Sequence, residues 1–232
     1  MVIVFASQLD EMAQRAVAGW PKSRATLLTV DDLSTEGWFI NSNDVNKSII
    51  VASGKQYSVT ELSGVVTLMP YIVEQELFKI EEPDRRYVTA EMTAFLHYVF
   101  TILQCPLINK PSAYNLTGPN WRFEEWLRAC QRVSLPIKPY HHVTHGETNS
   151  TNNTNFDPPE IRTIIVLSNR VIVSHAETLN AKVLQLAKLA AVQFLEITFA
   201  EENGQIFFCS ANCIPNMNNP QVLAALYENF EN

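Results

Sequence analysis

The chain reads as an α/β protein with an N-terminal parallel-sheet domain, a hairpin inserted into that domain, and a C-terminal half of antiparallel strands and helices. Three observations predict this. The opening MVIVFA, LDEMAQRAVAGW and ATLLTV (25–30) is a β-α-β unit: an unbroken apolar run, a helical run closed by Gly19 and Pro21, then a second buried strand. Two β-rich runs, GWFINS and SIIVASG, follow around the polar turn NDVNK and predict a hairpin after the second strand. Near the C-terminus, IRTIIVLSNRVIVSHA (161–176) turns at Ser168-Asn169-Arg170, and EITFA pairs with QIFFCSA around Glu202-Asn203-Gly204.

The remaining elements follow in order. YSVTELSGVVTLMP supplies a strand at 65–69 after a short helical or extended link. In YVTAEMTAFLHYVFTILQ (87–104), Met92, Phe95, Leu96, Val99, Ile102 and Leu103 recur at helical spacing, and the mixed charges Glu81, Glu82, Asp84, Arg85 and Arg86 read as the solvated start of that helix. PLINK is a strand beginning at Pro106, and NWRFEEWLRACQRV (120–133) an amphipathic helix with Trp121, Trp126, Leu127 and Cys130 on its apolar side. HGETNSTNNTNFDPPE (145–160) lacks large aliphatics and is expected to be a flexible surface connection. LNAKVLQLAKLAAVQFL (179–195) is expected to be a buried helix and PQVLAALYENF (220–230) a closing one. The domains expected are 1–110 and 111–232.

Composition narrows the classes. The 232 residues are 47% hydrophobic, enough for a sizeable core, and 17 Lys+Arg against 24 Asp+Glu give a net charge of −7 that disfavours nucleic acid and anionic membrane surfaces. The amino-terminal apolar run has no basic residues before it and reads as a strand rather than a signal peptide. MTAFLHYVFTILQCPLI (92–108) stops short of the ~20 apolar residues needed to cross a bilayer, so a cytoplasmic protein without membrane association is expected. Cys105, Cys130, Cys209 and Cys213 show no metal-ligand spacing and read as reduced, buried small hydrophobes. His141, His142 and His145 in HHVTH read as loop-root histidines rather than metal ligands. Signatures of α/β-hydrolases, zincins, dinucleotide binders and P-loops are absent.

Four segments, in order, carry a more specific signal. INKPSA and SLPIKP flank the helix WRFEEWLRACQRV; IRTIIVLSNRVIV follows; and VLQLAKLAAVQFLEITFAEENGQIFFCSANCIPN ends in Asn212-Cys213-Ile214-Pro215. This arrangement resembles the ATP-grasp superfamily, in the branch of glutathione synthetase, ribosomal-protein glutamate ligases and microviridin-type peptide ligases. The resemblance covers most of the chain. It implies a pre-ATP-grasp-like domain followed by a reduced ATP-grasp core, and in such ligases Mg-ATP converts a carboxylate to an acyl phosphate that an amine then attacks.

The same resemblance marks what this sequence has lost. The pattern puts an aspartate before phenylalanine on one strand and a glutamate two before asparagine on the next; here these are Thr198 and Ser210, with Asn212 retained. Magnesium favours anionic oxygens, and the charge of two ligands is gone. Between SLPIKP and IRTIIV, where the family carries a nucleotide-clamping subdomain, the chain has YHHVTHGETNSTNNTNFDPPE, with no lysine and Gly146 as its one glycine. The loop after the Arg162 hairpin is shortened to SHAETLNAK.

The implied vestigial cleft is Arg162, Thr198, Ser210 and Asn212, with no metal, no cofactor and no ligase activity expected. Asn109, Lys110, Asn115, Thr117, Asn120 and Arg122 surround a strand end and the next helix start, as capped-turn residues or as a site for an anion or peptide carboxylate. The function expected is a non-catalytic partner or scaffold for another protein or peptide, such as an intact ATP-grasp ligase or its substrate, in a homo- or hetero-oligomer. Two alternatives stand beside it: an active carboxylate–amine ligase borrowing lysines from a second chain or binding nucleotide unusually, and a small-molecule sensor using the old substrate cleft.

Overall fold

The structure is a computed structural model describing residues 1–138 and 159–231. β1 (Val2–Phe5), α1 (Glu11–Ala18) and β2 (Ala25–Leu28) form the opening unit. Asp10 caps α1, its Oδ1 accepting from the Met12 and Ala13 N–H groups, and Gly19 closes it. β1 pairs in parallel with β2 and with β5 (Gly64–Thr67), and β5 with β6 (Leu107–Ile108), giving the order β2-β1-β5-β6. Every residue of β1 and β5 is buried, which is why these strands read as unbroken apolar runs: the sheet is covered on both faces.

The inserted hairpin is present, but its strands differ from those expected. β3 (Ile49–Ala52) pairs with β4 (Lys55–Ser58), turning at Ser53-Gly54 with φ of 48° and 68°, the positive values a two-residue hairpin turn needs. Only Phe39 of GWFINS makes a bridge, to Ile49. NDVNK does not form a hairpin tip because the Asn41 side chain accepts from the Asn43 and Asp44 N–H groups and coils the segment into a short 3₁₀ turn. A short helix, α2 (Val30–Leu33), precedes the hairpin.

α3 (Glu82–Ile102) takes the charged run as its start, as expected, since Pro83, Glu82 and Asp84 suit a first helical turn. After α4 (Phe123–Arg132), β7 (Glu160–Leu167) and β8 (Arg170–Ser174) turn at Ser168-Asn169, and β9 (Phe194–Glu202) and β10 (Gln205–Asn212) turn at Asn203-Gly204, all four turn residues having positive φ. These strands form an antiparallel sheet in the order β10-β9-β7-β8. α5 (Asn180–Leu189) is shorter than expected: the chain turns at Ala191 (φ 55°), and Phe194-Leu195 belong to β9. α6 (Pro220–Glu231) closes the chain. The stretch 145–158 and His141, His142 and His145 lie outside the described residues.

Leu195, Ile197 and Phe199 bury one face of the antiparallel sheet against α4 and α5. Its other face begins buried, where Ile165, Leu167 and Phe194 share a core with Val2, Val4, Val66 and Ile108 of the parallel sheet and with Val222, Leu226 and Phe230 of α6. Gly64 sits under α6, and a methyl group there would overlap the Phe230 ring. Gly64→Ala is therefore expected to lower stability by ~1–3 kcal/mol. Thermal melts of Gly64→Ala, Phe230→Leu and the double variant check it, with the double less destabilised than the sum of the singles.

All four cysteines are free. Burial pushes the Cys130 and Cys213 thiols up to about 12, as expected of inert core cysteines. Cys209 corrects the expectation: it is exposed, at the bulge between Phe208 and Ser210. Among the described residues no helix is long and apolar enough to cross a membrane.

Candidate functional site

Strand parity and register define the face opposite α4 and α5. On β9 it carries Phe194, Glu196, Thr198 and Ala200, alternating with the core residues Leu195, Ile197 and Phe199. Thr163 and Ser210 flank Thr198, Ile165 and Asn212 flank Glu196, and Ile161 and Phe207 flank Ala200. The face thus runs from a buried apolar end at Phe194, through a carboxyl step and a hydroxyl row, to an apolar end where Ile161 is exposed.

Thr198 and Ser210, which motif order alone paired, are cross-strand neighbours. Their hydroxyl oxygens lie 2.5 Å apart, so one hydroxyl donates to the other. Asn212 folds onto its own turn: Oδ1 accepts from the Ile214 N–H at 3.0 Å and Nδ2 donates to the Ile214 carbonyl at 3.1 Å. Arg162 does not join them. It pairs with Phe199 on the α4/α5 side of the sheet, where its guanidinium donates to Glu201 and Glu160 at 2.9 and 3.1 Å. A half-buried arginine held by two carboxylates is spoken for, and it faces away from Ser210.

The residues expected around the turn after β6 divide between backbone bonding and the surface. Asn109 is completely buried and spends its amide on backbone: Nδ2 serves the carbonyls of Thr117, Phe194 and Cys213, and Oδ1 accepts from the Gln193 and Phe194 N–H groups at 2.7 Å. Asn115 Oδ1 accepts from the Thr117 N–H and hydroxyl. Lys110 and Asn120 are exposed, as is Arg122, whose backbone N–H is capped by Glu125.

Glu196 opens the strand EITFA read from the sequence, but its place between Ile165 and Asn212 comes from the cross-strand register, which the sequence does not show. It has no hydrogen-bond partner among the described residues, and burial raises its carboxyl above the ordinary value of 4.5. The folded chain keeps this proton to higher pH than the unfolded chain does, so stability falls as pH rises from about 4.5 through the raised value. Glu196→Gln is expected to melt higher than the parent at pH 7 and level with it below that window, as a pH series of thermal melts would record.

Magnesium triphosphate does not fit this donor set. Magnesium takes hard anionic oxygens, whereas this face offers two mutually bonded hydroxyls, an engaged amide and one carboxyl that burial keeps protonated to higher pH. Among the described residues no three His, Cys, Asp or Glu side chains stand close enough to share a metal ion.

The backbone has close counterparts among solved structures. Macrocyclase MdnC of Microcystis aeruginosa MRC, bound with precursor peptide MdnA, superposes with a TM-score of 0.71 at 10% identity, covering 100% of both chains. The ATP-grasp ligase PsnB, complexed with minimal precursor, Mg and ADP, gives 0.66 at 12% identity over 100% of this chain and 98% of that one. This chain has an ATP-grasp fold. A RiPP-associated ATP-grasp ligase of Chryseobacterium gregarium, in complex with ADP and a leader and core peptide, gives 0.64 at 10% identity over 99% and 93%. No protein-family model and no curated protein matches the sequence. The expected parallel and antiparallel sheets are those of the ATP-grasp fold. β8 and α5 are joined by a connection holding only the single 3₁₀ turn Glu177–Leu179.

Proposed function

We propose that this chain is a non-catalytic ATP-grasp-like protein that binds a peptide, or a protein presenting one, on the face of β7, β9 and β10 opposite α4 and α5. The Thr198–Ser210 hydroxyl pair carries the reading: at neighbouring positions where the resemblance places magnesium carboxylates, two uncharged hydroxyls share a hydrogen bond. The absence of lysine between Lys138 and Glu160 supports the loss of a nucleotide clamp. The mixed floor of Ile161, Thr163, Ser210 and Phe207 suits an extended segment with alternating apolar and polar side chains. Peptide ligases of this fold, solved with their precursor peptides, give the class of partner to try first.

In this proposal residues 1–110 and 111–232 act together as a platform, and the partner is a precursor-type peptide or an intact ATP-grasp ligase. Purified chain, such a ligase and its peptide are mixed pairwise and together, and eluted masses are read by light scattering. Co-elution with ligase or peptide, and no ligated product from this chain with peptide and Mg-ATP, is the expected result. Product from this chain alone would overturn it.

A further inference from the structure

A cavity lies in the N-terminal half. The loops leaving β5 and β6 at their C-terminal ends, where parallel α/β sheets hold ligands, meet the outer side of α3 around this cavity of about 580 Å³. Ala90 and Ala94 of α3 line it, and Tyr71 and Tyr114, also in the lining, are 54% and 86% exposed. Among the described residues no carboxylate, lysine or arginine lines it.

The lining is built rather than loose. Ser112 and Asn115 exchange both backbone hydrogen bonds, placing Ala113 and Tyr114 at a two-residue tip. The turn is tied down by His97 Nε2 on the Ser112 carbonyl, by the Ser112 hydroxyl on Gly118, and by the Leu116 N–H on Pro70. Tyr114 sits at φ 64°, a backbone region costly for a bulky residue, with its ring held in solvent.

Besides the exposed tyrosine hydroxyls, His97 and Asn115 each leave one polar atom of the lining unbonded. A carbonyl can only accept, so His97 Nε2 donates to it, and His97 Nδ1 has no partner among the described residues. Asn115 uses Oδ1 twice, and its Nδ2 has no acceptor among the described residues. The geometry points to a binding site for an uncharged phenol-type ring: tyrosines and alanines for the ring, Nδ1 to accept from the hydroxyl and Nδ2 to donate to it. The phenol is either a free small molecule or a tyrosyl side chain on a peptide. This site shares no residue with the face of β7, β9 and β10, so either can fail without the other.

Amide chemical shifts of the full chain, titrated with p-cresol, toluene and N-acetylated alanyl-tyrosyl-alanine amide, test the assignment. Saturable shifts in α3 and residues 112–116 are expected with p-cresol, and at least about 10-fold weaker ones with toluene, which lacks the hydroxyl. Ala94→Trp, at an exposed position, fills the cavity and abolishes binding. Tyr114→Gly relieves the backbone and melts no lower than the parent, yet binds at least about 5-fold more weakly, which a purely structural tyrosine would not do. A tripeptide at least about 10-fold tighter than p-cresol supports the peptide source; equal affinities support the free phenol. The inference is overturned by no saturation with any probe, by toluene binding as well as p-cresol, or by binding that Ala94→Trp leaves intact. It is also overturned by shifts that follow protein concentration alone, which would give the surface to a second copy.

Discussion

Asn109→Ala lowers the unfolding free energy by ~3–4 kcal/mol, the largest effect expected of any single polar side chain among the described residues. The residue is fully buried, and its amide ties the end of β6 to the start of β9 and to the segment after β10. Removing it strands the Gln193 and Phe194 N–H groups and three carbonyls in a site water does not reach. Asn109→Asp keeps the acceptor but turns a carboxylate toward those carbonyls, so it is destabilised at pH 7 and partly recovers in acid, where a protonated carboxyl donates again. Chemical denaturation of both variants is the check. A loss below ~1 kcal/mol for alanine would mean that Asn109 does not join the two sheets.

Thr198→Asp combined with Ser210→Glu is expected to create a divalent-cation site that the parent lacks. Two carboxylates on neighbouring strands repel, so without cation the double variant loses ~1–2 kcal/mol, a drop of about 4 °C in Tm. Millimolar magnesium bridges them and restores the loss, while the parent, with its uncharged hydroxyl pair, does not respond. Melting curves with and without magnesium show both. An equal rise in the parent would place cation ligands on this face beyond the residues named.

The fold was largely legible because its punctuation is local. Asn203-Gly204 and Ser168-Asn169 accept positive φ cheaply and announced their hairpins, and β1 and β5 showed burial as unbroken apolar runs. Ser53-Gly54 carried the same signal, but NDVNK drew the turn to the wrong place, since its polarity serves an Asn41-capped coil. The site was legible in part. Motif order named Thr198 and Ser210 as counterparts, and the register makes them neighbours. The same order grouped Arg162 with them, yet residues sharing a strand stretch can face opposite ways, and Arg162 follows the parity of the core residues Ile164 and Val166. Asn109 looked like a ligand residue because its partners at 193, 194 and 213 are remote in sequence.

Isothermal titration calorimetry of Mg-ATP into the purified chain bears most directly on the cleft's chemistry. In the proposed reading, a face with two hydrogen-bonded hydroxyls in place of carboxylates, and no lysine between Lys138 and Glu160, gives no saturable heat up to about 1 mM nucleotide and no release of ADP. Saturable binding at micromolar concentration, or ADP formed by this chain with a peptide present, would contradict it.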